Sequence, residues 1–140
     1  MQIENQLDLL IVMNNKEIAE AYELDAKVQF GLTASSITHG RFAMEYLNSC
    51  SDENLPRATL VDSSLQKDEL RDYPVLILEH LQKRNAMEYF GYVCFHLGPY
   101  ERELHRRTGV DDFFEQTNEF GEGDPVYEFM KNLAREKLRE

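Results

Sequence analysis

Apolar residues fall into two kinds of run along this chain. Residues 7–13, LDLLIVM, are almost continuously apolar, the pattern of a strand covered on both faces in a parallel sheet, and Asn14 and Asn15 end it. From Lys16 the period changes. Ile18, Ala19, Ala21, Tyr22 and Leu24 share one broad helical stripe, which predicts a helix to about Val28 with Gly31 as its terminator. LTASSIT, residues 32–38, is a shorter strand of small and β-branched residues. His39 and Gly40 turn the chain, and Phe42, Ala43, Tyr46 and Leu47 then recur at helical spacing up to the polar cluster NSCSDEN, residues 48–54. ATLVD, residues 58–62, is the third strand.

The same alternation continues in the second half. Pro74 suits the first turn of a helix that carries Val75, Leu76, Leu78 and Leu81 before Lys83 and Arg84, although VLIL alone also reads as a strand. YFGYVCFHL, residues 89–97, is aromatic and β-branched enough for a fourth strand, closed by Gly98 and Pro99. ERELHRRTG is a short charged helix stopped by Gly109, and DDFFEQ, residues 111–116, is a compact fifth strand. Asp124 and Pro125 then cap and start an amphipathic helix with Val126, Phe129, Met130, Leu133 and Lys137. About five strands alternating with five helices predict a single α/β domain over residues 1–140. Its architecture is a three-layer sandwich, a five-stranded mostly parallel sheet with helices on both faces.

Composition narrows the partners. With 140 residues, 42% hydrophobic and 29% charged, the chain suits one soluble domain. A net charge of −11 repels nucleic acid phosphates and anionic lipid surfaces, so a protein partner is expected, with no nucleic acid and no membrane. No apolar stretch approaches the ~20 residues that span a bilayer, and no basic region precedes the first apolar run, so a cytoplasmic location is expected. Cys50 and Cys94 lack metal-site or redox spacing and read as reduced thiols.

In an open parallel sheet the functional crevice lies beyond the carboxyl ends of the strands, where strand order reverses. That rule points to Asn14, Asp62, His96 and Gln116. Enzyme patterns are absent: His39, His80, His96 and His105 lack metal-ligand spacing, and no HExxH, P-loop or GxSxG motif occurs. Cys94 and His96 lie two apart on a predicted strand and could approach as thiol and base, but a buried cysteine beside a hydrogen-bonded histidine is the plainer reading. GEGDP, residues 121–125, precedes a helix N-terminus, yet Glu122 and Asp124 would repel an anion there. No catalytic residue is assigned, and the chain is read as a non-enzyme.

LLIVMNNKE, ITHGRFAMEYLNS, LPRATLVDSSLQ and GVDDFFEQ resemble, in order and spacing, successive blocks of the receiver domain of bacterial response regulators. The resemblance runs from about residue 7 to the end and implies the flavodoxin-like receiver fold. It also implies signal transduction in a two-component system or phosphorelay, with Asp62 at the position of the aspartate that accepts a phosphoryl group from a histidine kinase. That chemistry needs Mg²⁺ to screen the repulsion between carboxylate and phosphoryl group. The family holds the ion with an acidic pair after the first strand; here Met13 and Asn14 occupy those positions.

The resemblance departs from the family elsewhere too. Gln116 replaces the family's lysine near the end of the fifth strand, Thr117 replaces the following proline, and Cys94 or His96 replaces the hydroxyl after the fourth. Met13, Asn14, Ser64, Cys94, His96 and Gln116 would thus line a degenerate pocket, while Phe113 keeps the place of the switch aromatic. The pattern is that of an atypical receiver, or pseudo-receiver, working as a protein-protein interaction module. Its partner, or a second copy in a homodimer, would use the face at residues 99–135. A cofactor is not expected, though Asn14, Asn15 and Glu17 leave a weak Mg²⁺ site open.

Two further readings stand beside it. One is a conventional phosphoacceptor receiver using Asp62. The other is a regulatory domain resembling the STAS family of anti-sigma-factor antagonists, in which VDSSL would place Ser63 at the phosphorylated serine; Leu65 replaces the glycine expected there. GPYERELHRR, the most basic stretch, is either a docking patch for an acidic partner or a solvated helix face.

Overall fold

A computed structural model of the chain describes residues 6–63, 65, 72–86, 89–94, 98–110, 112–115 and 124–139. Five strands form the sheet: β1 (Leu9–Val12), β2 (Ala34–Ile37), β3 (Ala58–Asp62), β4 (Tyr89–Cys94) and β5 (Phe113–Glu115). Their order is β2-β1-β3-β4-β5, and every pairing is parallel. Helices α1 (Lys16–Phe30), α2 (Gly40–Ser49), α3 (Tyr73–Lys83), α4 (Pro99–Thr108) and α5 (Pro125–Leu138) make the crossovers.

Side chains alternate across the pleat, so a central strand needs apolar residues at every position. Leu10 and Val12 pack with α2, α3 and α4 through Ala43, Leu47, Ile77, Leu78 and Leu104. Leu9, Ile11 and Met13 face the other way, against Ala19 and Tyr22 of α1 and Val126 and Met130 of α5. This is why LDLLIVM and ATLVD read as nearly continuous apolar runs, broken by the buried Asp8, Thr59 and Asp62.

Local chemistry sets the helix ends. The Asn15 side chain accepts the Ile18 N–H at 3.1 Å, and Gly31 ends α1 in the left-handed conformation at φ 64°. Asp124 accepts the Val126 N–H at 2.9 Å and also takes the Tyr22 hydroxyl at 2.8 Å, tying α5 to α1. Burial and then the Asp124 carboxylate push the Tyr22 hydroxyl upward, so it remains a neutral donor. At the end of α2, Arg84 donates to the carbonyls of Leu47 (2.8 Å) and Cys50, tying the end of α3 to the end of α2.

The VLIL ambiguity resolves as helix. Pro74 starts the first turn, and Val75, Ile77, Leu78 and Leu81 are buried together. On α2 the buried stripe is Gly40, Ala43 and Leu47, while Phe42 is 53% exposed. Tyr73 explains the phase: a Cβ on Gly40 would lie 2.3 Å from its Cγ, so this helix face approaches α3 closely. Cys50 and Cys94 are both buried, with no disulfide between them. Among the described residues, no helix is long and apolar enough to cross a membrane.

Candidate functional site

β2 and β3 leave β1 in opposite directions, so strand order reverses between β1 and β3. The register pairs Val12 with Val61, which brings the residues just after β1 beside the last residue of β3. There the Asn14 N–H donates to Asp62 Oδ2 at 3.2 Å. Asp62 is 2% exposed and Ser63 likewise 2%. The Ser63 N–H continues the ladder to the Val93 carbonyl at 2.9 Å, and the Leu65 N–H returns to the Asp62 carbonyl at 3.1 Å, turning the chain under the site.

A residue absent from the sequence-based expectation completes this strand end. Ser63 Oγ donates to Glu101 Oε2 at 2.9 Å, while Glu101 Oε1 accepts the Gly98 N–H at 3.0 Å. One carboxylate thus joins the end of β3 to the first turn of α4. The only sequence signal is GPYE, which puts a glutamate at the third position of a helix, where it can reach back to the preceding N–H. α4 is further held by Tyr100, whose hydroxyl donates to Asp72 Oδ1 at 3.1 Å, with Arg107 3.9 Å from the other Asp72 oxygen. Burial and then Asp72 raise the Tyr100 hydroxyl, keeping it protonated.

The other expected site residues that the structure describes differ in their surroundings. Met13 is fully buried in the α1/α5 core, and a thioether there offers nothing to a hard cation. Asn14 is exposed, and the Asn15 side chain is engaged as the α1 cap. Among the described residues, no group of three His, Cys, Asp or Glu side chains is placed to hold a metal ion. Cys94 is 3% exposed at the end of β4, opposite Glu115. Ser64, His96 and Gln116 lie outside the described residues.

Phe113 is half-buried, with its ring 5.3 Å from that of Tyr92 and 6.3 Å, edge-on, from His105 of α4. The Tyr92 hydroxyl donates to the Pro74 carbonyl at 2.7 Å, which pins the stack to the start of α3. The basic stretch of α4 is partly neutralised within the chain. Arg106 pairs with Glu103 and Arg107 approaches Asp72, while Leu104 is the buried anchor of the helix.

The sequence matches no family model and no curated protein. Solved structures do match. A CheY-like response regulator receiver domain protein from Methanospirillum hungatei superposes over 97% of this chain and all of its own, at TM-score 0.68 and 12% identity. A Francisella response regulator receiver domain covers 94% of this chain and 99% of itself, at TM-score 0.64 and 13% identity. The fold is the receiver fold. A response regulator receiver protein from Pseudoalteromonas atlantica agrees, at TM-score 0.66 and 16% identity over 92% of this chain and 98% of that one. Within the receiver fold, Asp62, Ser63 and Glu101 stand at the crevice where the strand order reverses, the place where open parallel sheets bind ligands.

Proposed function

We propose that this chain is an atypical response-regulator receiver, a signal-transduction module that binds a protein partner independently of phosphorylation. The observation that carries this reading is Met13: at the position where the resemblance expects an acid, the side chain is 0% exposed and belongs to the core. Its neighbour Asn14 is neutral and directs its backbone N–H at Asp62. An arriving phosphoryl group would approach the Asp62 carboxylate with Glu101 bonded to the adjacent Ser63, and a cation is needed to screen such repulsion. Met13 and Asn14 bring no charge to hold one.

In this reading Asp62 is a structural acceptor, no catalytic residue is involved, and no cofactor takes part. Output comes from the shape of the face at residues 99–135, offered to a partner or to a second copy. Intact mass after incubation with a small phosphodonor and Mg²⁺, with Asp62→Ala as control, tests it. No mass gain is expected; a gain of a phosphoryl group that Asp62→Ala abolishes would falsify phosphorylation independence and make this a conventional phosphoacceptor receiver.

A further inference from the structure

Between β5 and α5 lies a groove of about 620 Å³, on the opposite side of the sheet from α4. Its floor is aromatic and aliphatic: Tyr89, Phe114 and Phe129, all half-buried, with Leu133 beneath. The Phe114 and Phe129 rings stand 5.2 Å apart. Gly91 makes the floor, because a Cβ there would come within 2.2 Å of Phe114 Cε2. Its absence lets the Phe114 ring lie over the strand. The volume falls in the range of about 300–1,000 Å³ typical of binding clefts.

The rim carries one sign of charge. Asp112, Glu128 and Glu136 border the groove, and among the described residues no Lys, Arg or His lines it. Glu136 already holds Arg139 at 3.0 Å, which leaves Asp112 and Glu128 to meet a cation from outside. Among the described residues β5 stands at the end of the strand order, so the groove runs beside the edge of the sheet, where an extended segment can lie along it.

We infer that this groove docks an extended segment of a basic partner protein, with an apolar side chain seated over Phe114 and Phe129 and flanking Lys or Arg meeting Asp112 and Glu128. The inference rests on the reading of the chain as a protein-binding module and names the chemistry of its partner. A second copy is the poorer occupant. Two chains at −11 each repel, and the most basic segment of this chain has its own acids, Arg106 with Glu103 and Arg107 near Asp72. A basic partner is instead steered in by the same net charge.

The test titrates the ¹⁵N-labelled full chain with a synthetic peptide alternating Lys and Leu, and with its counterpart alternating Glu and Leu. Amide shifts on residues 112–115 and 125–136 are expected with the Lys peptide alone. Asp112→Lys with Glu128→Lys should weaken it by about tenfold or more, whereas Glu17→Lys with Glu20→Lys on α1 should change it by no more than about twofold. Equal weakening by both pairs would overturn the inference, leaving only general attraction to an acidic protein. Shifts elsewhere, equal binding of the Glu peptide, or a dimer covering these residues would overturn it too. The phosphodonor experiment reads Asp62 alone, so the groove can fail while phosphorylation independence stands, and the reverse.

Discussion

At the N-terminal edge of the sheet Asp8 accepts the Lys137 ammonium at 2.7 Å and the Thr33 N–H at 2.9 Å, with Arg57 4.0 Å away. At the carboxyl edge Asp62 accepts the Asn14 N–H, and its neighbour Ser63 reaches Glu101. The two aspartates are similarly buried, 5% and 2% exposed. Their surroundings give them different work. Asp8 is clamped by a cation from the last helix and closes the bottom of the fold; Asp62 sits at the strand-order reversal and accepts a backbone N–H from the residue that follows Met13 at the end of β1. Burial alone therefore does not tell how a carboxylate is held; the origin of its partners does.

The sharpest way to break the comparison is to put an acid back at the carboxyl edge. Met13→Asp should destabilise the protein by about 3 kcal/mol or more, because a carboxylate replaces a side chain packed wholly in the core. Asn14→Asp, at an exposed position, should stay within about 0.5 kcal/mol of the parent. Urea unfolding of both variants checks the contrast. Equal effects would mean that the Met13 position tolerates charge and that the metal-binding argument fails.

Asp8→Asn comes next, at about 1–3 kcal/mol, since it weakens a charge-assisted bond to a partly exposed lysine. Burial by itself would raise the Asp8 carboxyl, but the Lys137 and Thr33 hydrogen bonds outweigh it and hold the group below its ordinary value. A depressed acid contributes stability above its unfolded value of about 4 and loses it as the pH falls through the folded value. The gap between parent and Asp8→Asn should accordingly be widest near neutrality and narrow in acid, as urea midpoints across pH would reveal. A gap that widened in acid would contradict the clamp.

Smaller effects probe the α4 tie. Ser63→Ala removes the donor to Glu101 and should cost about 1 kcal/mol, with faster hydrogen exchange in the first turn of α4. Glu101→Gln keeps one carbonyl acceptor for the Gly98 N–H and turns an NH2 toward Ser63 Oγ, which then accepts, so a loss of about 0.5 kcal/mol is expected. Unchanged exchange in both variants would show that α4 is held by Tyr100 and Leu104 rather than by this carboxylate.

Much of the fold was legible because its cues are local. Gly31, Gly109 and Asp124–Pro125 act within a turn of their own helix, and a strand covered on both faces is largely apolar, so these features survive reading along one dimension, whereas the Asn15 cap went unread. Part of the site was legible for the same reason: Asn14 and Asp62 mark strand ends, and strand ends form the crevice. Short apolar runs fared less well. VLIL fits either period until Leu81 and Pro74 are counted, and nothing local to α2 tells that Tyr73 presses on Gly40 and leaves Phe42 outside.

By itself the sequence determined the strand-helix alternation, the caps at Gly31, Gly109 and Asp124, the acidic balance and the absence of a carboxylate at positions 13 and 14. Only the tertiary structure decided that Ser63 meets Glu101 across 38 residues, that Asp8 meets Lys137 across 129, and that an acid-rimmed aromatic groove opens beside β5. Periodicity and capping act over a few residues, whereas these contacts follow from strand order and crossover packing, which bring together parts of the chain that share no local pattern.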